Sequence, residues 1–419
     1  NNEVAWNISI AVSNGILYVA WVEFSPTDPN GYFSHISKYN GTPGNWTRID
    51  SGNAYGIRDN TTIQESSPQH YESNHIKIVD YNNKLYAAWS EYPYGQSNAN
   101  LIIKSYDGTS WNMISSLPTN SVYSFPDMTV HDNVLYIAYE ESNPQKDIRV
   151  KKYTEASGIS DATSDVPLNY GTGTGSDHHV KLVSDNINLY AVWNEKNADG
   201  KTQVRAKRYD GTNWTSIDGG GNTGLNYNPM QNANISSISY NNGKVYVSWS
   251  EGNGTPFEQM RIKRFDPVTS TWSFADDNAL SDGSGFSYGL NIYPEEYGAY
   301  QSYTTVYNNE LYLFWKENNK LYVKKYDSDW NILDNAADLS NLQVNNGSLY
   351  PAFSPNIKNY VVLVNNDITE VTVTPTVVEP NATITVNGIN VSSGEPSQNI
   401  SLEVSSNDVV TCSGSGFNQ

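Results

Sequence analysis

Six positions along the chain carry side chains that suit ligand binding and whose type varies from repeat to repeat. They stand at the start of six successive repeats: Trp6, His75, Phe125, His179, Asn234 and Gln301. Aromatic rings offer flat apolar faces and amides pair with hydroxyls, a combination that suits neutral polyhydroxyl ligands. Because these residues vary while their surroundings repeat, we interpret them as ligand-binding residues rather than packing residues.

The segments that must position these residues form a sixfold repeat. Its first half is clearest at residues 84–91, whose Leu85, Tyr86, Trp89 and Glu91 recur with few changes in the other copies. Its second half joins a basic residue and a Tyr or Phe to a short turn and a tryptophan. Each copy indicates four short strands, and a repeat of this size is typical of an array or a propeller. We therefore predict an all-β six-bladed β-propeller of four-stranded blades over residues 1–335.

The connections within this repeat are unequal in length. Short turns join the first strand to the second and the third strand to the fourth. The connections from the second strand to the third, and from one repeat to the next, are long and emerge on one face. Long loops above a rigid scaffold often carry function, and first strands line the propeller axis. The six variable residues should therefore rim the central channel on that face. Tyr293 and Tyr297, in an insertion at residues 286–300, extend the predicted binding site, with a self-packed Ω-loop as the alternative interpretation.

Other conspicuous residues have a packing interpretation. Ten of the eleven tryptophans occupy two repeated positions, which indicates structural roles. The repeated glutamates are expected to pair with basic residues of the third strands. Oxygen-bearing side chains alternate at Glu195, Asn197 and Asp199, an arrangement that a Ca²⁺ ion accepts, with turn formation as the alternative. Apart from that calcium candidate, no cofactor is predicted.

Composition limits the partners. A net charge of −19 argues against binding nucleic acid or an anionic membrane by bulk electrostatics. No apolar run approaches the roughly 18 residues that span a bilayer, so we expect no direct membrane insertion. The single Cys412 excludes an internal disulfide framework and a multi-cysteine metal site. A surface rich in Tyr, Asn and Thr favours a secreted or cell-surface bacterial protein.

Beyond residue 338 the repeat gives way to alternation with a period of two, as in Val371-Thr372-Val373-Thr374, which predicts a small β-sandwich. The motifs Leu339-Ser340-Asn341-Leu342 and Phe353-Ser354-Pro355, with Tyr360, resemble the opening of the cadherin-like β-sandwich domain of bacterial surface proteins. The resemblance implies a spacer or adhesion module over residues 338–419 without catalytic residues. The chain departs from the family after Thr411, so we expect a truncated domain whose last strand is missing or replaced.

The repeat half resembles known propellers less specifically. The segment from Ser105 to Trp111 is similar to the Asp-box turn of sialidases but lacks one residue between Asp107 and Gly108. The aromatic repeats resemble those of six-bladed lectin-like propellers, and no single family is indicated.

These observations favour a binding protein over an enzyme. The sequence contains no nucleophile elbow, phosphate loop or metal-binding helix motif. Most arginines lie at repeated third-strand positions, which disfavours the arginine cluster of sialidase chemistry. We therefore predict that the long-loop face recognises a glycan or a cell-surface polysaccharide. The alternatives are a glycan-cleaving propeller enzyme and an adhesin that binds another surface protein.

Overall fold

The computed structural model shows an all-β chain, and none of the described residues is helical. The structure describes residues 5–24, 32–50, 56–57, 73–91, 98–121, 124–142, 146–162, 166–170, 179–220, 224–252, 257–276, 289–291, 297–318, 320–326, 330–332, 339–350, 352–353, 360–365, 367–377, 383–402 and 412–415.

Twenty-four strands make up the repeat half in six groups of four. The first three groups are β1 (Ala5–Ser13), β2 (Ile16–Phe24), β3 (Tyr32–Tyr39), β4 (Trp46–Arg48), β5 (Ser73–Tyr81), β6 (Lys84–Glu91), β7 (Asn100–Tyr106), β8 (Trp111–Pro118), β9 (Asp127–His131), β10 (Val134–Ser142), β11 (Lys146–Thr154) and β12 (Gly158–Asp161). The other three groups are β13 (Lys181–Ser184), β14 (Leu189–Lys196), β15 (Thr202–Tyr209), β16 (Trp214–Ser216), β17 (Ala233–Asn241), β18 (Lys244–Gly252), β19 (Glu258–Asp266), β20 (Thr271–Phe274), β21 (Ala299–Tyr307), β22 (Glu310–Glu317), β23 (Lys320–Tyr326) and β24 (Trp330–Ile332).

Each group forms one sheet whose strand order follows the sequence. Neighbouring strands pair antiparallel, as Tyr86 of β6 does with Ser105 of β7. The six sheets are the blades of a propeller ring, so the predicted fold class is confirmed. The turns that connect first and second strands use residues that tolerate positive φ, such as Asn82 (52°) and Asn83 (58°).

The second strand of each blade supplies its core. Trp89, Trp193, Trp249 and Trp315 are all 0% exposed, which confirms that these tryptophans are packing residues. A strand that is covered on both faces reads as an apolar run, and β6 is buried from Leu85 to Glu91.

The repeated glutamates have a hydrogen-bond donor that the sequence pattern did not indicate. The indole Nε1 of Trp89 donates to Glu91 Oε2 at 2.8 Å, and Trp249 donates to Glu251 in the same way at 2.6 Å. Residues two apart on a strand share a face, so the tryptophan is the nearest donor. The expected pairing with a third-strand base occurs in blade three, where Tyr139 replaces the tryptophan and Glu141 pairs with Arg149 at 2.8 Å.

Third-strand arginines instead pair with an aspartate just beyond the fourth strand. Arg205 Nε lies 2.8 Å from Asp218 Oδ2, and Arg261 Nε lies 2.9 Å from Asp276 Oδ2. All four side chains are at most 4% exposed, so each charge is buried together with its partner. Removing one partner of such a pair leaves an uncompensated buried charge, which is strongly destabilising.

The long connections that enter the next blade are held against the third strand. Ile57, Leu168, Leu225 and Leu290 each donate a backbone hydrogen bond, of 2.7–2.9 Å, to a third-strand carbonyl. Gly289 precedes Leu290 with φ at +58°, and a Cβ at this position would lie 2.1 Å from Met260 O. Glycine is therefore required where the loop crosses the sheet edge so closely.

The first strand of blade one is an exception in packing. Ile8, Ile10 and Val12 are 59–63% exposed, whereas Ile76 and Ile78, which hold the equivalent register in β5, are at most 2% exposed. This face of β1 is the least covered part of the first strands that the structure describes.

The C-terminal segment contains nine short strands: β25 (Leu339–Val344), β26 (Ser348–Tyr350), β27 (Val361–Leu363), β28 (Glu370–Val371), β29 (Val373–Val377), β30 (Thr383–Val386), β31 (Ile389–Val391), β32 (Ile400–Ser401) and β33 (Cys412–Ser415). They form small antiparallel sheets that bury Val371, Val373, Ile384 and Val386. A last strand is present, because β33 pairs with β30 from Cys412 to Ser415. The residues after Thr411, where the chain departs from the family pattern, therefore form a strand of this domain.

The chain divides into two compact units, residues 1–321 with 326–330 and residues 322–325 with 331–419. The predicted boundary near residues 335–338 lies outside the described residues and stays a prediction. Within the described ranges, no helix is long and apolar enough to cross a membrane.

Candidate functional site

A cavity of about 1180 Å³ lies among the first strands of the propeller, and all six blades contribute to its lining. Of the residues predicted for the site, six line it: His75, Phe125, His179, Asn234, Gln301 and Tyr297. For Trp6 the structure describes only the backbone, which pairs with Val22 in β1. Tyr293 lies outside the described residues. The structure thus gathers most of the predicted site in one place, while ligand binding by these residues stays a prediction.

The backbone that carries several of these side chains has positive φ at or just before the first strand, and the side chains line the cavity. The pairing of β5 with β6 shifts between Asn74 and Lys77, so His75 begins a bulge. The φ angles of His75, Phe125 and His179 are 58°, 41° and 26°, in the left-handed region that bulky residues rarely adopt. Such backbone strain, roughly 1–3 kcal/mol per residue, is concentrated at binding and catalytic sites. The strain agrees with the predicted role of this position, which stays a prediction.

The register corrects the sequence alignment in two blades. His75 follows the pair Asn74–Ser90, and the residue after the equivalent pair Trp6–Val22 is Asn7. Asn7 has a φ of 52° and lines the cavity, so it is the residue of blade one at this position. In blade five the same rule selects Ile235 instead of Asn234. Asn234 lines the cavity from the preceding position, where it is exposed.

Three of the strained residues form a continuous aromatic surface, named here the aromatic arc: His75, Phe125 and His179. The ring centroids of His75 and Phe125 lie 4.2 Å apart, and those of Phe125 and His179 also lie 4.2 Å apart. The ring planes are tilted by 56° and 34°, so the arc follows the curve of the channel across blades two to four. It offers π-faces of the kind on which apolar sugar faces stack.

Two residues beyond each member of the aromatic arc stand Lys77, Asp127 and Lys181, named here the charged tier; all three line the cavity. Lys77 Nζ lies 2.7 Å from Asp127 Oδ1 across the boundary between blades two and three. Asp127 Oδ2 accepts a hydrogen bond of 2.7 Å from the backbone N–H of Leu182 in blade four. One carboxylate thus ties three blades together at the channel wall.

The residues equivalent to Lys77 alternate in type around the ring. Ser9 in blade one and Ser237 in blade five accept hydrogen bonds of 3.0 and 3.1 Å from backbone N–H groups of the following blade. Blades one, three and five therefore carry a short acceptor that bonds to its neighbour. Blades two, four and six carry the long side chains of Lys77, Lys181 and Tyr303.

The two lysines differ in their electrostatic environment. Burial acts to lower the pKa of Lys77, but the Asp127 carboxylate outweighs burial, so this pKa is raised above its ordinary value. Burial lowers the pKa of Lys181, and the positive charge of Lys77 adds to that lowering against the attraction of Asp127. The two lysines of the charged tier therefore differ in pKa, although both lie near the same Asp127 carboxylate.

The wall from blades five and six has a different character. Tyr297, Tyr300 and Tyr303 line it with 38–57% of their surfaces exposed. Glu258 and the exposed Lys316 also contribute, and Glu317 accepts a hydrogen bond from Trp315 Nε1 at 2.9 Å. In the part of its lining that the structure describes, the cavity thus has two lysines and one aspartate towards blades two to four, and two glutamates, one lysine and three tyrosines towards blades five and six.

The calcium candidate has other hydrogen bonds in this structure. Glu195 accepts from Trp193 Nε1 at 2.9 Å and from the Tyr170 N–H at 3.0 Å. Asn197 Oδ1 accepts from the backbone N–H groups of Asp199 and Lys201, which is the turn formation given as the alternative. In the part of the chain that the structure describes, no three His, Cys, Asp or Glu side chains are grouped to hold a metal. The calcium site stays a prediction.

Sequence reasoning missed Asn7 and the charged tier. The sequence alignment selects Trp6, the residue before Asn7. Only the bulge between Trp6 and Ser9 shows that Asn7 holds the position equivalent to His75. Lys77 and Lys181 each stand two residues after a predicted site residue, on the same side of the strand. That spacing was the available signal.

The C-terminal segment matches a known family. Residues 339–416 match the model of the cadherin-like beta sandwich domain. This segment is a cadherin-like β-sandwich domain. The match includes β33, which confirms the resemblance drawn from the opening motifs.

A curated relative from Evansella cellulosilytica, named as a membrane protein, is 23% identical over 239 residues. The match covers 56% of this chain and 26% of that protein, so the chain spans about a quarter of the relative's length.

Several solved structures resemble this chain at TM-scores of at most 0.45, a likeness that carries no argument about it. The α-L-arabinofuranosidase of Fusarium graminearum is 14% identical, with 74% of this chain and 88% of that chain covered at a TM-score of 0.44. The NanB sialidase of Streptococcus pneumoniae is 8% identical, with 76% and 67% covered at a TM-score of 0.45. A protein of unknown function from Dyadobacter fermentans is 12% identical, with 76% and 93% covered at 0.42. At these identities the likeness concerns the fold alone.

Proposed function

We propose that the propeller binds carbohydrate in the central cavity without cleaving it. The observation that carries the proposal is the aromatic arc, in which three adjacent blades hold a bulky side chain in strained backbone. Packing does not require this strain, because Ile235 at the same position of blade five does not have a positive φ. The likeness of fold contributes nothing to this proposal.

Polar groups around the aromatic arc suit hydroxyl groups. Asn7, Asn234 and Gln301 line the cavity and are exposed, so their amides are available to a ligand. Each amide offers both a donor and an acceptor, as a sugar hydroxyl does. Stacking on the aromatic arc together with these amides gives the apolar surface and few directed polar groups that ligand sites use.

The carboxylates of the cavity favour binding over cleavage. Glycoside hydrolysis normally uses two carboxyl groups, one as an acid and one as a base or nucleophile. Among the described lining residues, Asp127 is held by Lys77 and Leu182, and Glu317 is held by Trp315. Glu258 is the remaining carboxylate of that described lining, and a single one does not complete the pair.

A glycan array probed with the intact chain tests the proposal. We expect binding that is lost when Phe125→Ala removes the centre of the aromatic arc. Tyr307→Ala is the matched control, because Tyr307 is an aromatic residue of β21 that is 67% exposed and does not line the cavity. Release of reducing sugar from a bound glycan would show an enzyme instead. A blank array would favour an adhesin that binds another surface protein.

We also propose that the protein acts outside the cell or at its surface. The cadherin-like domain supports this, since a spacer or adhesion module has a use where a binding propeller must be held away from a surface. Fractionation of producing cells tests it. Recovery of the protein in the cytoplasmic fraction alone would contradict an extracellular location.

A further inference from the structure

The charged tier lies directly behind the aromatic arc. His75 and Lys77 lie in β5, and His179 lies two positions before Lys181, the first residue of β13. Two residues of chain span at most about 7 Å. All four side chains line the same cavity. A ligand stacked on the aromatic arc therefore has an ammonium group within reach of one end.

Among the residues that the structure describes, Lys77 is paired in the charged tier, whereas Lys181 is not. Lys77 and Asp127 form an ion pair of 2.7 Å, and the second oxygen of Asp127 is used by the Leu182 N–H. Within the described residues, the Lys181 ammonium has no ion pair or side-chain hydrogen bond. The group of three side chains thus carries one net positive charge, inside a protein whose total charge is −19.

We propose that Lys181 binds the carboxylate of an acidic sugar, of the hexuronate class, whose ring stacks on the aromatic arc. This inference rests on the proposed carbohydrate-binding function and names the ligand class. It replaces the neutral ligand expected from the aromatic and amide side chains, because the lysines of the charged tier were not among the residues predicted for the site.

A carboxylate fits the charged tier better than a phosphate does. One carboxylate neutralises the single net positive charge, whereas a phosphate monoester brings about −1.5 to −2 at neutral pH. Asp127 and the glutamates of blades five and six would repel the negative charge of the phosphate that remains unneutralised. A lysine ammonium is a point charge with three donors, which suits a single carboxylate held at one end of a larger ligand.

The two walls also fix the orientation of the ligand. On the side of blades five and six, Glu258 and Glu317 outnumber Lys316 and repel a carboxylate, while Asn234 and Gln301 offer amides to neutral hydroxyls. The acidic end of the sugar therefore points towards blades two to four, and the uncharged end towards blades five and six.

Isothermal titration with matched oligosaccharides tests the inference. The probes are hexuronate oligomers of galacto, gluco and manno configuration, each paired with the same oligomer after reduction of its carboxylates to alcohols. We expect one acidic oligomer to bind on the order of tenfold more tightly than its reduced form, as a partly buried charge pair provides. That preference should decrease as the NaCl concentration rises.

The variant Lys181→Met should abolish the preference for the acid and leave the affinity for the reduced oligomer within a factor of about two. Lys181→Arg should retain the preference, since it keeps the charge. Lys320→Met is the matched control, because Lys320 is exposed on β23 and does not line the cavity. Circular dichroism and thermal unfolding of each variant confirm that the fold is retained.

The outcomes separate the two proposals. Equal binding of an acidic oligomer and its reduced form overturns the hexuronate inference and leaves carbohydrate binding standing. Tighter binding of a sugar phosphate than of any hexuronate also overturns it. Absence of binding by every oligomer, together with a blank glycan array, overturns both proposals.

Discussion

The imidazole of His75 and the phenyl ring of Phe125 lie 4.2 Å apart although they come from different blades and are separated by fifty residues of chain. Both residues have positive φ, at 58° and 41°. The packing of adjacent blades brings β5 and β9 together, and both side chains line the same cavity. A surface of this kind cannot be built from one blade, so binding on it depends on the assembled ring.

Replacement of Phe125 tests whether its ring contributes to the stability of the fold or to ligand binding. Phe125→Gly should change the free energy of unfolding by no more than about 1 kcal/mol, because relief of the left-handed conformation offsets the lost ring contacts. Phe265, which is 0% exposed, is the control, and Phe265→Ala should cost about 3–5 kcal/mol. Urea unfolding measures both, and glycan binding should be lost only with Phe125. Equal destabilisation would show that the Phe125 ring supports the fold.

The glycine at the loop crossing gives a second prediction. Gly289→Ala should destabilise the protein by more than about 2 kcal/mol, since the new Cβ meets Met260 O and the φ of +58° is unfavourable. Gly243→Ala is the control: φ is +77° there, but no atom lies within 4 Å of the added Cβ, so only the backbone cost of about 1 kcal/mol applies. Similar melting temperatures for the two variants would contradict the close crossing.

A third prediction concerns the hydrogen bond between the Trp249 indole and the Glu251 carboxylate in blade five. Trp249→Phe should cost about 2–4 kcal/mol, because it removes buried surface and the donor 2.6 Å from Glu251 Oε2. Burial already raises the pKa of Glu251, so loss of a donor leaves that carboxyl poorly compensated. Adding Glu251→Gln should recover part of the loss in urea unfolding. Trp46→Phe, at a site 42% exposed, serves as the control with a small effect.

The pH dependence of stability gives a fourth. Burial lowers the pKa of Lys263 to about 8 from 10.5, against the attraction of Glu251 and Asp276 and with repulsion from Arg261. The folded state therefore binds fewer protons than the unfolded state between these values, so Lys263 makes stability rise with pH across this window. Lys263→Met should flatten that rise, by up to a few kcal/mol relative to the wild type. Parallel curves for the two proteins would contradict the prediction.

The C-terminal domain gives a fifth. Deletion of residues 338–419 should leave glycan affinity unchanged within a factor of two or so, because every described residue of the cavity lining lies between Asn7 and Asn318. Titration of the shortened chain against the same oligosaccharide measures it, with circular dichroism to confirm the propeller. A large loss of affinity would assign the domain a part in the site.

The sequence by itself determined the blades, because each repeat carries its own strands, turns and buried tryptophan. Leu85, Tyr86 and Trp89 recur at the same spacing in an apolar run, so the pattern predicts the buried second strand wherever it occurs. The opening residues of the cadherin-like domain were specific enough to identify it. These features are local in the chain, and local periodicity therefore reveals them.

Only the tertiary structure decided which side chains meet. A bulge of one residue selects Asn7 rather than its neighbour Trp6, since a shift of one position moves a side chain to the other face of a strand. Ring closure places Lys77 beside Asp127 and brings Lys181 to the same wall, although their blades are far apart in sequence. The aromatic and amide side chains predict a neutral ligand from the sequence, whereas the cavity wall of blades two to four carries two lysines around one aspartate, because folding distributes charge unevenly in space.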